Sequence, residues 1–410
     1  MAVYVHIPFC TVKCGYCDFN AYAGMDAVKP AYREAAVREV ESWRGLLRSR
    51  RVTSVAFGGG TPGEVPAGDI AAILDAIRTA AGEVDDDAEV GLEANPGTTR
   101  LPQLRGLRAA GVNRVSFGVQ SFDAANLLFL DRIHSPEAAA ACVAVARGAG
   151  FANVGLDLIY GLPGQSPDAW AQDLARAVSL EPDHVSCYAL TVEEGTPLAR
   201  RVGRGEITPL EPDAVADMYE DAEDRLGAAG YVHYELSNWA KPGCESGHNR
   251  VYWTGGDYLG LGAGAHGFVD GVRYENAAHP RAYVERLGRD GLTPSAVGEG
   301  TVVGPAVADS YRPTERVAMF DWLETSLRLV EGFDPAGFAA RFGVDIAAVV
   351  STPLRECAAS GVLDWQPGRI ALTRRGRQLH SAVAAHLLAH LDQPRGATAR
   401  SASAIATSPR

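Results

Sequence analysis

The segment Tyr4-Val-His-Ile-Pro-Phe-Cys10-Thr-Val-Lys-Cys14-Gly-Tyr-Cys17 joins a strand-like run directly to three closely spaced cysteines. Three thiolates with the spacing C-x3-C-x2-C can each bind one iron of a [4Fe–4S] cube, which leaves the fourth iron without a protein ligand. An open iron of this kind can bind a small molecule. Because three thiolates must surround one face of a cube, we expect the cysteines on a loop that leaves the first strand.

Zinc is the alternative occupant of these cysteines. Structural zinc usually needs a fourth ligand from Cys or His, and no second C-x2-C motif follows in the chain. The total of seven cysteines is odd, which argues against a disulfide framework. The other four are scattered singly at Cys142, Cys187, Cys244 and Cys357. Zinc therefore remains the less favoured interpretation of the three cysteines.

Short apolar segments alternate with stretches of helical periodicity along the first half of the chain. The candidate strands are 2–7, 52–57, 88–94, 113–119, 153–159 and 183–190. The candidate helices are 30–50, 66–82, 100–110, 135–149, 167–180 and 212–229. Repeated β-then-α units predict an α/β fold with parallel strands and crossover helices. A doubly wound sheet and a partial TIM-like barrel both fit this pattern.

Polar or conformationally special residues follow several of these strands. They are the three cysteines, the run Gly58-Gly-Gly-Thr61, Glu93, Gln120 and Asp157. In parallel α/β folds the loops after the strands lie at one end and build the active site. The sequence therefore predicts that these residues converge. Asp157 interrupts an apolar run, where an unpaired charge is costly. A pairing with Arg132 and a role in ligand binding are equally good explanations.

The second half of the chain has a different organisation. We predict a core at 1–230, an extension at 231–290, a linker at 291–312, a C-terminal domain at 313–391 and a disordered tail at 392–410. Residues 231–275 of the extension are expected to consist of irregular strands and turns. The C-terminal domain is predicted to contain helices at 313–330, 335–342 and 345–360 and a hairpin at 362–372, an order similar to a winged helix.

Composition narrows the class of protein. The 410 residues are 47% hydrophobic and carry a formal net charge of −12, which argues against general affinity for nucleic acid. No apolar run approaches the ~20 residues of a membrane span, and the first residues lack the pattern of a signal peptide. We therefore expect a cytoplasmic protein, with peripheral association at a membrane as the alternative.

Three motifs together resemble those of the radical S-adenosylmethionine superfamily. They are the cysteine segment, Gly58-Gly-Gly-Thr61-Pro62 and Asp157-Leu-Ile-Tyr-Gly-Leu-Pro163. Within the superfamily the chain resembles the oxygen-independent coproporphyrinogen III oxidase family and, more narrowly, its HemW branch of haem chaperones. The resemblance spans roughly residues 2–390. It implies a partial TIM-like (β/α)6 barrel followed by a helical, winged-helix-like C-terminal domain.

The resemblance also implies roles for single residues. Cys10, Cys14 and Cys17 would bind the [4Fe–4S] cluster, and Gly59, Gly60 and Thr61 would hold the methionyl part of S-adenosylmethionine. Tyr4 would face the cluster, Tyr16 would pack against the adenine, and Glu93 would bind polar atoms of S-adenosylmethionine. Gln120, Arg132 and Asp157 match positions that contact a second S-adenosylmethionine or the substrate in the oxidases.

Several features favour the chaperone branch over the oxidases. The oxidases carry a fourth cysteine two residues after the third, where this chain has Phe19, and they have a long segment before the cluster strand. The run His248-Asn-Arg-Val-Tyr252-Trp253 matches the HNxxYW signature associated with haem binding. A neutral imidazole can ligate haem iron, and aromatic side chains suit a porphyrin. Cys244 and His266 are weaker candidates for ligands.

Two functions therefore stay open. One is a haem chaperone that binds haem, a [4Fe–4S] cluster and S-adenosylmethionine and delivers haem to acceptor haemoproteins, for example respiratory ones. The other is an oxygen-independent coproporphyrinogen III dehydrogenase. The resemblance further implies an electron donor such as flavodoxin or ferredoxin, and a homodimer that forms with the cluster.

Overall fold

The structure is a computed structural model that describes residues 1–288 and 293–391. The predicted disordered tail at 392–410 lies outside the described residues. Contacts divide the chain into two compact units, the first made of residues 1–313 with 329–331 and the second of residues 314–328 with those from 332 onward. Each unit is described by itself below.

Six parallel strands form the centre of the first unit. They pair in chain order, each beside the next, which is the order of a TIM-like barrel rather than that of a doubly wound sheet. They are β1 Ala2–Ile7, β2 Arg51–Gly59, β3 Glu83–Ala94, β4 Arg114–Gln120, β5 Asn153–Tyr160 and β6 His184–Ala189. The sequential order and parallel direction follow from helices that cross over between neighbouring strands.

Helices connect these strands. They are α1 Lys29–Ser42, α2 Arg44–Arg48, α3 Ala67–Ala80, α4 Leu101–Ala110, α5 Ala124–Phe129, α6 Pro136–Gly148, α7 Pro167–Ser179, α8 Pro197–Gly203 and α9 Pro212–Ala228. Helix α3 buries Ile70, Ile73, Leu74 and Ile77, the stripe expected from a 3.6-residue period. Helices α6 and α7 begin at Ser-Pro pairs whose hydroxyls accept a backbone N–H, a favourable start for a helix.

Six further strands widen the sheet on both sides. They are β7 Val232–Glu235, β8 Asn238–Ala240, β9 Tyr258–Leu261, β10 His266–Val269, β11 Val272–Asn276 and β12 Val307–Tyr311. The complete order is β12-β11-β10-β9-β1-β2-β3-β4-β5-β6-β8-β7. Among the described residues the two ends of this order do not pair, so the sheet is an open, partial barrel rather than a closed one. The α/β prediction is confirmed.

Two parts of this region differ from the sequence prediction. Within the predicted linker at 291–312, the structure has the short strand pair Ala296–Val297 and Val302–Val303 as well as β12. The backbone N–H and C=O groups of edge strand β12 form hydrogen bonds with β11. This pairing joins segments that are distant in the chain, so the local Gly and Pro content does not predict it. Residues 231–275, expected to be strands and turns, also contain helix α10 Gly247–Trp253, and helix α11 Pro280–Leu287 follows them.

A buried carboxyl group ties α1 to this added region. Glu39 accepts hydrogen bonds from Gly262 N at 2.7 Å, Asn276 Nδ2 at 2.7 Å and Tyr283 OH at 2.6 Å. Burial opposes the charged form more strongly than these donors support it, so the pKa of Glu39 rises to about 7. These hydrogen bonds hold the turn after β9 against helix α1.

The second unit contains the predicted helices followed by a hairpin. Its elements are α12 Glu315–Ser326, α13 Pro335–Phe342, α14 Ile346–Ala359, the antiparallel strands Leu363–Gln366 and Arg369–Leu372, α15 Arg374–Gln378 and α16 His380–Ala389. Phe338, Leu354 and Ile370 are fully buried and bring two helices and the hairpin into one core. The order resembles a winged helix, as predicted.

Within residues 1–288 and 293–391, none of the helices combines the length and the apolar character that spanning a bilayer requires.

Candidate functional site

The loops after the six parallel strands surround a cavity of about 320 Å³. It lies where active sites of parallel α/β folds lie. Most of the residues predicted to converge do so here, since the lining includes Cys10, Cys14, Tyr16, Cys17, Gly59, Gly60, Thr61, Glu93, Gln120, Arg132 and Asp157. Tyr4 and His248 line a second cavity instead.

The cysteine loop is held by contacts from several elements. Cys10 ends the short strand Phe9–Cys10, which pairs with Tyr22–Ala23 beyond the loop. Thr11 donates through both its amide and its hydroxyl to Glu64, and the Gly15 amide donates to Asp131 at 3.1 Å. These contacts fix a loop of irregular backbone at the mouth of the barrel.

The cysteines are half-buried thiols. Burial raises the pKa of Cys10 to about 11 and also raises the pKa of Cys17, so both are protonated at neutral pH in the absence of a metal. Binding of iron would therefore release their protons. Among the described residues no group of three His, Cys, Asp or Glu side chains is close enough to hold a single metal ion.

The glycine run after β2 brings backbone against the cavity. Gly59 has a φ of 106°, and a Cβ there would collide with the imidazole of His6. A Cβ on Gly60 would lie 2.6 Å from the carbonyl oxygen of Phe9. Only glycine fits both positions, because one needs left-handed backbone and both lack space. The run therefore brings backbone close to a ligand, while the amides of Gly59, Gly60 and Thr61 already donate to Glu93, Ile7 and Phe9.

Two buried carboxyl groups, Glu93 and Asp157, interact electrostatically in the barrel interior. The Gly59 amide donates to Glu93 at 3.1 Å, yet burial and repulsion from Asp157 raise the pKa of Glu93 to about 7. Burial also raises the pKa of Asp157. Asp157 accepts from Ser116 at 3.0 Å and from Ser186 at 2.7 Å. The suggested ion pair with Arg132 does not form, and the two serines on the adjacent strands both donate to Oδ1 of this carboxyl group.

Arg132 contacts the cysteine loop instead. Its guanidinium donates to Cys14 Sγ at 3.5 Å, to the Gly118 carbonyl at 2.6 Å and to Asn95 Oδ1. Gln120 ends β4 with a φ of 66°, a strained value for a residue that is not glycine. Its buried Oε1 has no hydrogen-bond partner among the residues that the structure describes. An unpaired acceptor that lines a cavity is suited to a donor group on a ligand.

The second cavity, of about 280 Å³, is lined by the helix that carries the HNxxYW motif. Glu93, Asp157 and Tyr188 line both cavities, so the two are neighbours in the barrel interior. His248 is only 3% exposed. Its Nδ1 lies 2.9 Å from Ser54 Oγ and its Nε2 lies 2.7 Å from Tyr252 OH.

Both ring nitrogens of His248 are thus engaged within the barrel. Burial lowers the pKa of His248 to about 4, which keeps the imidazole neutral. Glu89 fixes the start of α10 by accepting from Ser246 Oγ at 3.1 Å and from the amides of Gly247 and His248 at 3.1 and 3.2 Å. Cys244 is partly exposed and His266 is exposed.

The residues present fit a [4Fe–4S] cluster with S-adenosylmethionine. The three cysteines, the glycine backbone and the unpaired Gln120 acceptor surround one cavity. Sulfur donors suit iron, and a buried carboxyl group beside closely approaching backbone suits the amino group of a methionyl moiety. The cysteines would hold the cluster and Gly59, Gly60 and Glu93 the methionyl end.

Sequence reasoning gave no role to three residues of these cavities. Asn95 bridges Thr61 and Arg132, Glu89 fixes α10, and Tyr188 lies between the two cavities. Asn95 had a usable signal, because it follows Glu93 by two residues at the same strand end. Glu89 and Tyr188 had none, since their roles depend on contacts far along the chain.

Comparison with known proteins places the chain in a family. The profile of the Radical SAM superfamily matches residues 4–177, and that of the HemN C-terminal domain matches residues 314–379. The heme chaperone HemW of Mycobacterium tuberculosis (strain ATCC 25618 / H37Rv) is 42% identical over 389 residues, which cover 94% of this chain and 94% of that protein. HemW of Escherichia coli (strain K12) is 39% identical over 293 residues, 70% of this chain and 76% of that protein.

A solved structure supports the same placement. Coproporphyrinogen III oxidase (HemN) from Escherichia coli, described as a radical SAM enzyme, superimposes with a TM-score of 0.79 at 25% identity, covering 95% of this chain and 90% of that chain. Because curated relatives of 31–42% identity span most of the sequence, the chain belongs to the HemW family of heme chaperones within the radical SAM superfamily.

Proposed function

We propose that this protein is a haem chaperone that binds haem, a [4Fe–4S] cluster and S-adenosylmethionine and passes haem to acceptor haemoproteins. The observation that carries the proposal is the similarity to heme chaperones along nearly the whole chain. The position of the oxidases' fourth cysteine supports it, because Phe19 there is 59% exposed and offers no ligand.

The chain's own residues would divide the work between the two cavities. Cys10, Cys14 and Cys17 would hold the cluster, which when bound with S-adenosylmethionine supplies one-electron chemistry. The glycine run and Glu93 would orient the methionyl group. A one-electron donor such as flavodoxin or ferredoxin and a cluster-dependent homodimer belong to the same proposal, as does a cytoplasmic site of action.

Haem would bind at residues 244–253, with His248 as the axial ligand. The neutral state of His248 suits iron ligation. Its burial imposes a condition, however, because both ring nitrogens are hydrogen-bonded and a porphyrin has no access to the imidazole in this conformation. Ligation through Nε2 therefore requires that Tyr252 releases this nitrogen and that α10 moves.

A second candidate function is an oxygen-independent coproporphyrinogen III dehydrogenase. The observation that favours it is the similarity to coproporphyrinogen III oxidase over 95% of the chain. In that function the buried Glu93 and Asp157 would face a porphyrinogen or a second S-adenosylmethionine.

One pair of assays separates the two functions. Anaerobically reconstituted protein is expected to bind haem with one haem per chain and to leave coproporphyrinogen III unchanged. His248→Ala should weaken haem binding, whereas Cys244→Ser and His266→Ala test the alternative ligands. Steady turnover of coproporphyrinogen III to protoporphyrinogen IX would refute the chaperone assignment.

The cluster assignment has its own test. Cys14→Ser should abolish the iron–sulfur absorbance while circular dichroism shows a folded chain. Cys357→Ser is the matched control, since Cys357 is a buried thiol of the second unit. An intact cube in Cys14→Ser would remove this cysteine from the ligand set.

A further inference from the structure

A chain of side-chain hydrogen bonds connects two of the three cysteines of the loop. Thr61 Oγ1 lies 3.4 Å from Cys10 Sγ, and Asn95 Nδ2 lies 3.1 Å from Thr61 Oγ1. Arg132 contacts Asn95 Oδ1 with one nitrogen and Cys14 Sγ, at 3.5 Å, with another. The order of groups is therefore Cys10, Thr61, Asn95, Arg132, Cys14.

The direction of every bond in this chain follows from the chemistry of the groups. A guanidinium only donates hydrogen bonds. Arg132 therefore requires that Asn95 present its carbonyl oxygen, which turns the amide NH₂ toward Thr61. The Thr61 oxygen then accepts from Asn95, so the single hydroxyl proton of Thr61 is free to point at Cys10.

Both ends of the chain consequently donate to sulfur. Hydrogen bonds in such a chain polarise one another, and here the polarisation begins at a positive charge. Thr61 is 4% exposed, so water competes little at this point. Sulfur that accepts hydrogen bonds carries added negative charge at lower cost, which favours the reduced state of an iron–sulfur cluster.

We propose that Thr61, Asn95 and Arg132 form a positioning relay that directs hydrogen bonds to Cys10 and Cys14 and thereby raises the reduction potential of the bound cluster. The inference rests on the cluster proposed above. It gives Asn95 a role and adds to Thr61 and Arg132 a function apart from ligand contact. Its consequence is a cluster that accepts an electron from the donor more readily than the same cysteines alone would permit.

The test is a redox titration of the full chain, reconstituted anaerobically with iron and sulfide and followed by electron paramagnetic resonance. Thr61→Val keeps the shape and removes the donor, so we expect a shift to more negative potential. Thr61→Ser restores the hydroxyl and should return the potential toward that of the wild type. Asn95→Leu leaves Thr61 in place without its orienting partner and should give an intermediate negative shift.

Thr99→Val is the matched control. Thr99 is also 4% exposed, and within residues 1–288 and 293–391 its Oγ1 has no hydrogen-bond partner. The same substitution there should leave the potential unchanged. An unshifted potential in fully loaded Thr61→Val, or an equal shift in Thr99→Val, would overturn the relay.

Iron and sulfide content separates this inference from the cluster proposal. Failure of the wild-type chain to load a cube would refute the cluster itself, whereas a loaded cube with no shift in Thr61→Val refutes only the relay. If Thr61→Val alone does not load, Asn95→Leu decides the matter: a potential equal to that of the wild type overturns the relay, and a negative shift supports it.

Discussion

Tyr252→Phe tests whether the Tyr252 hydroxyl competes with haem iron for the proposed ligand, His248. In the structure the Tyr252 hydroxyl lies 2.7 Å from His248 Nε2. When the Tyr252 hydroxyl donates, it occupies the same lone pair that haem iron would use. The substitution removes this competitor and retains the aromatic ring, so the flat apolar surface offered to a porphyrin is preserved.

The magnitude follows from the bond that is lost. A hydrogen bond of this kind contributes about 1 kcal/mol net to the closed state. If haem binding requires that the bond break first, its removal should tighten haem binding about fivefold, since each 1.4 kcal/mol corresponds to about tenfold in affinity. The same change should lower the free energy of unfolding of the haem-free protein by about 1 kcal/mol.

The assay is a titration with ferric haem, followed by the Soret absorbance, on wild type, Tyr252→Phe and His248→Ala. Tyr258→Phe is the matched control, because its ring lies 4.7 Å from the Tyr252 ring but its hydroxyl is not the partner of His248 Nε2. Equal or weaker binding by Tyr252→Phe, alongside a clear loss in His248→Ala, would refute the competition. Unchanged binding in His248→Ala would remove His248 as the ligand.

Three further changes test other parts of the structure. Glu89→Gln removes the charge that accepts three donors at the start of α10, so urea denaturation should show a loss of about 1 kcal/mol in the free energy of unfolding, and hydrogen exchange should rise across the helix. Unchanged exchange there would contradict the role of Glu89 in holding the start of α10. Glu39 has a folded pKa of about 7, above its ordinary 4.5, so the folded state binds the extra proton and stability should fall by about 3 kcal/mol as the pH rises from about 4.5 through 7. Glu39→Gln should lack that slope, and equal slopes in both proteins would disprove the assignment. Gly59→Ala places a methyl group against the His6 imidazole at positive φ and should destabilise the protein more than Gly24→Ala, which has positive φ but open space; equal melting temperatures would show that the close contact is unimportant.

Much of the first unit was predictable because its signals are local. The stripe of Ile70, Ile73, Leu74 and Ile77 predicted α3, and Ser-Pro pairs mark the starts of α6 and α7. Strand periodicity together with β-then-α alternation was enough to place the loops after the strands at one end. The amino-acid sequence therefore predicted that the cysteine and glycine runs lie at the same end of the sheet.

Other predictions failed or were absent because they depend on partners distant in the chain. The linker assigned to 291–312 includes β12, whose backbone is satisfied by β11. Asp157 pairs with serines of adjacent strands rather than with Arg132. The motif helix α10 is held by Glu89, which lies more than 150 residues earlier in the chain. The sequence around Asp157 and around Glu89 carries no local signal for these contacts.

Periodicity and short motifs in the amino-acid sequence were enough for the α/β class, the spacing of Cys10, Cys14 and Cys17 and the family resemblance, because these are local signals. The folded chain alone shows that the six central strands pair in chain order and that His248 is buried with both nitrogens engaged. It alone shows that Thr61, Asn95 and Arg132 link two of the cysteines. Those features depend on the register of parallel strands and on contacts such as that between Ser54 and His248, 194 residues apart. A hydrogen bond needs its partners within about 3 Å, and only the packed sheet brings such residues that close.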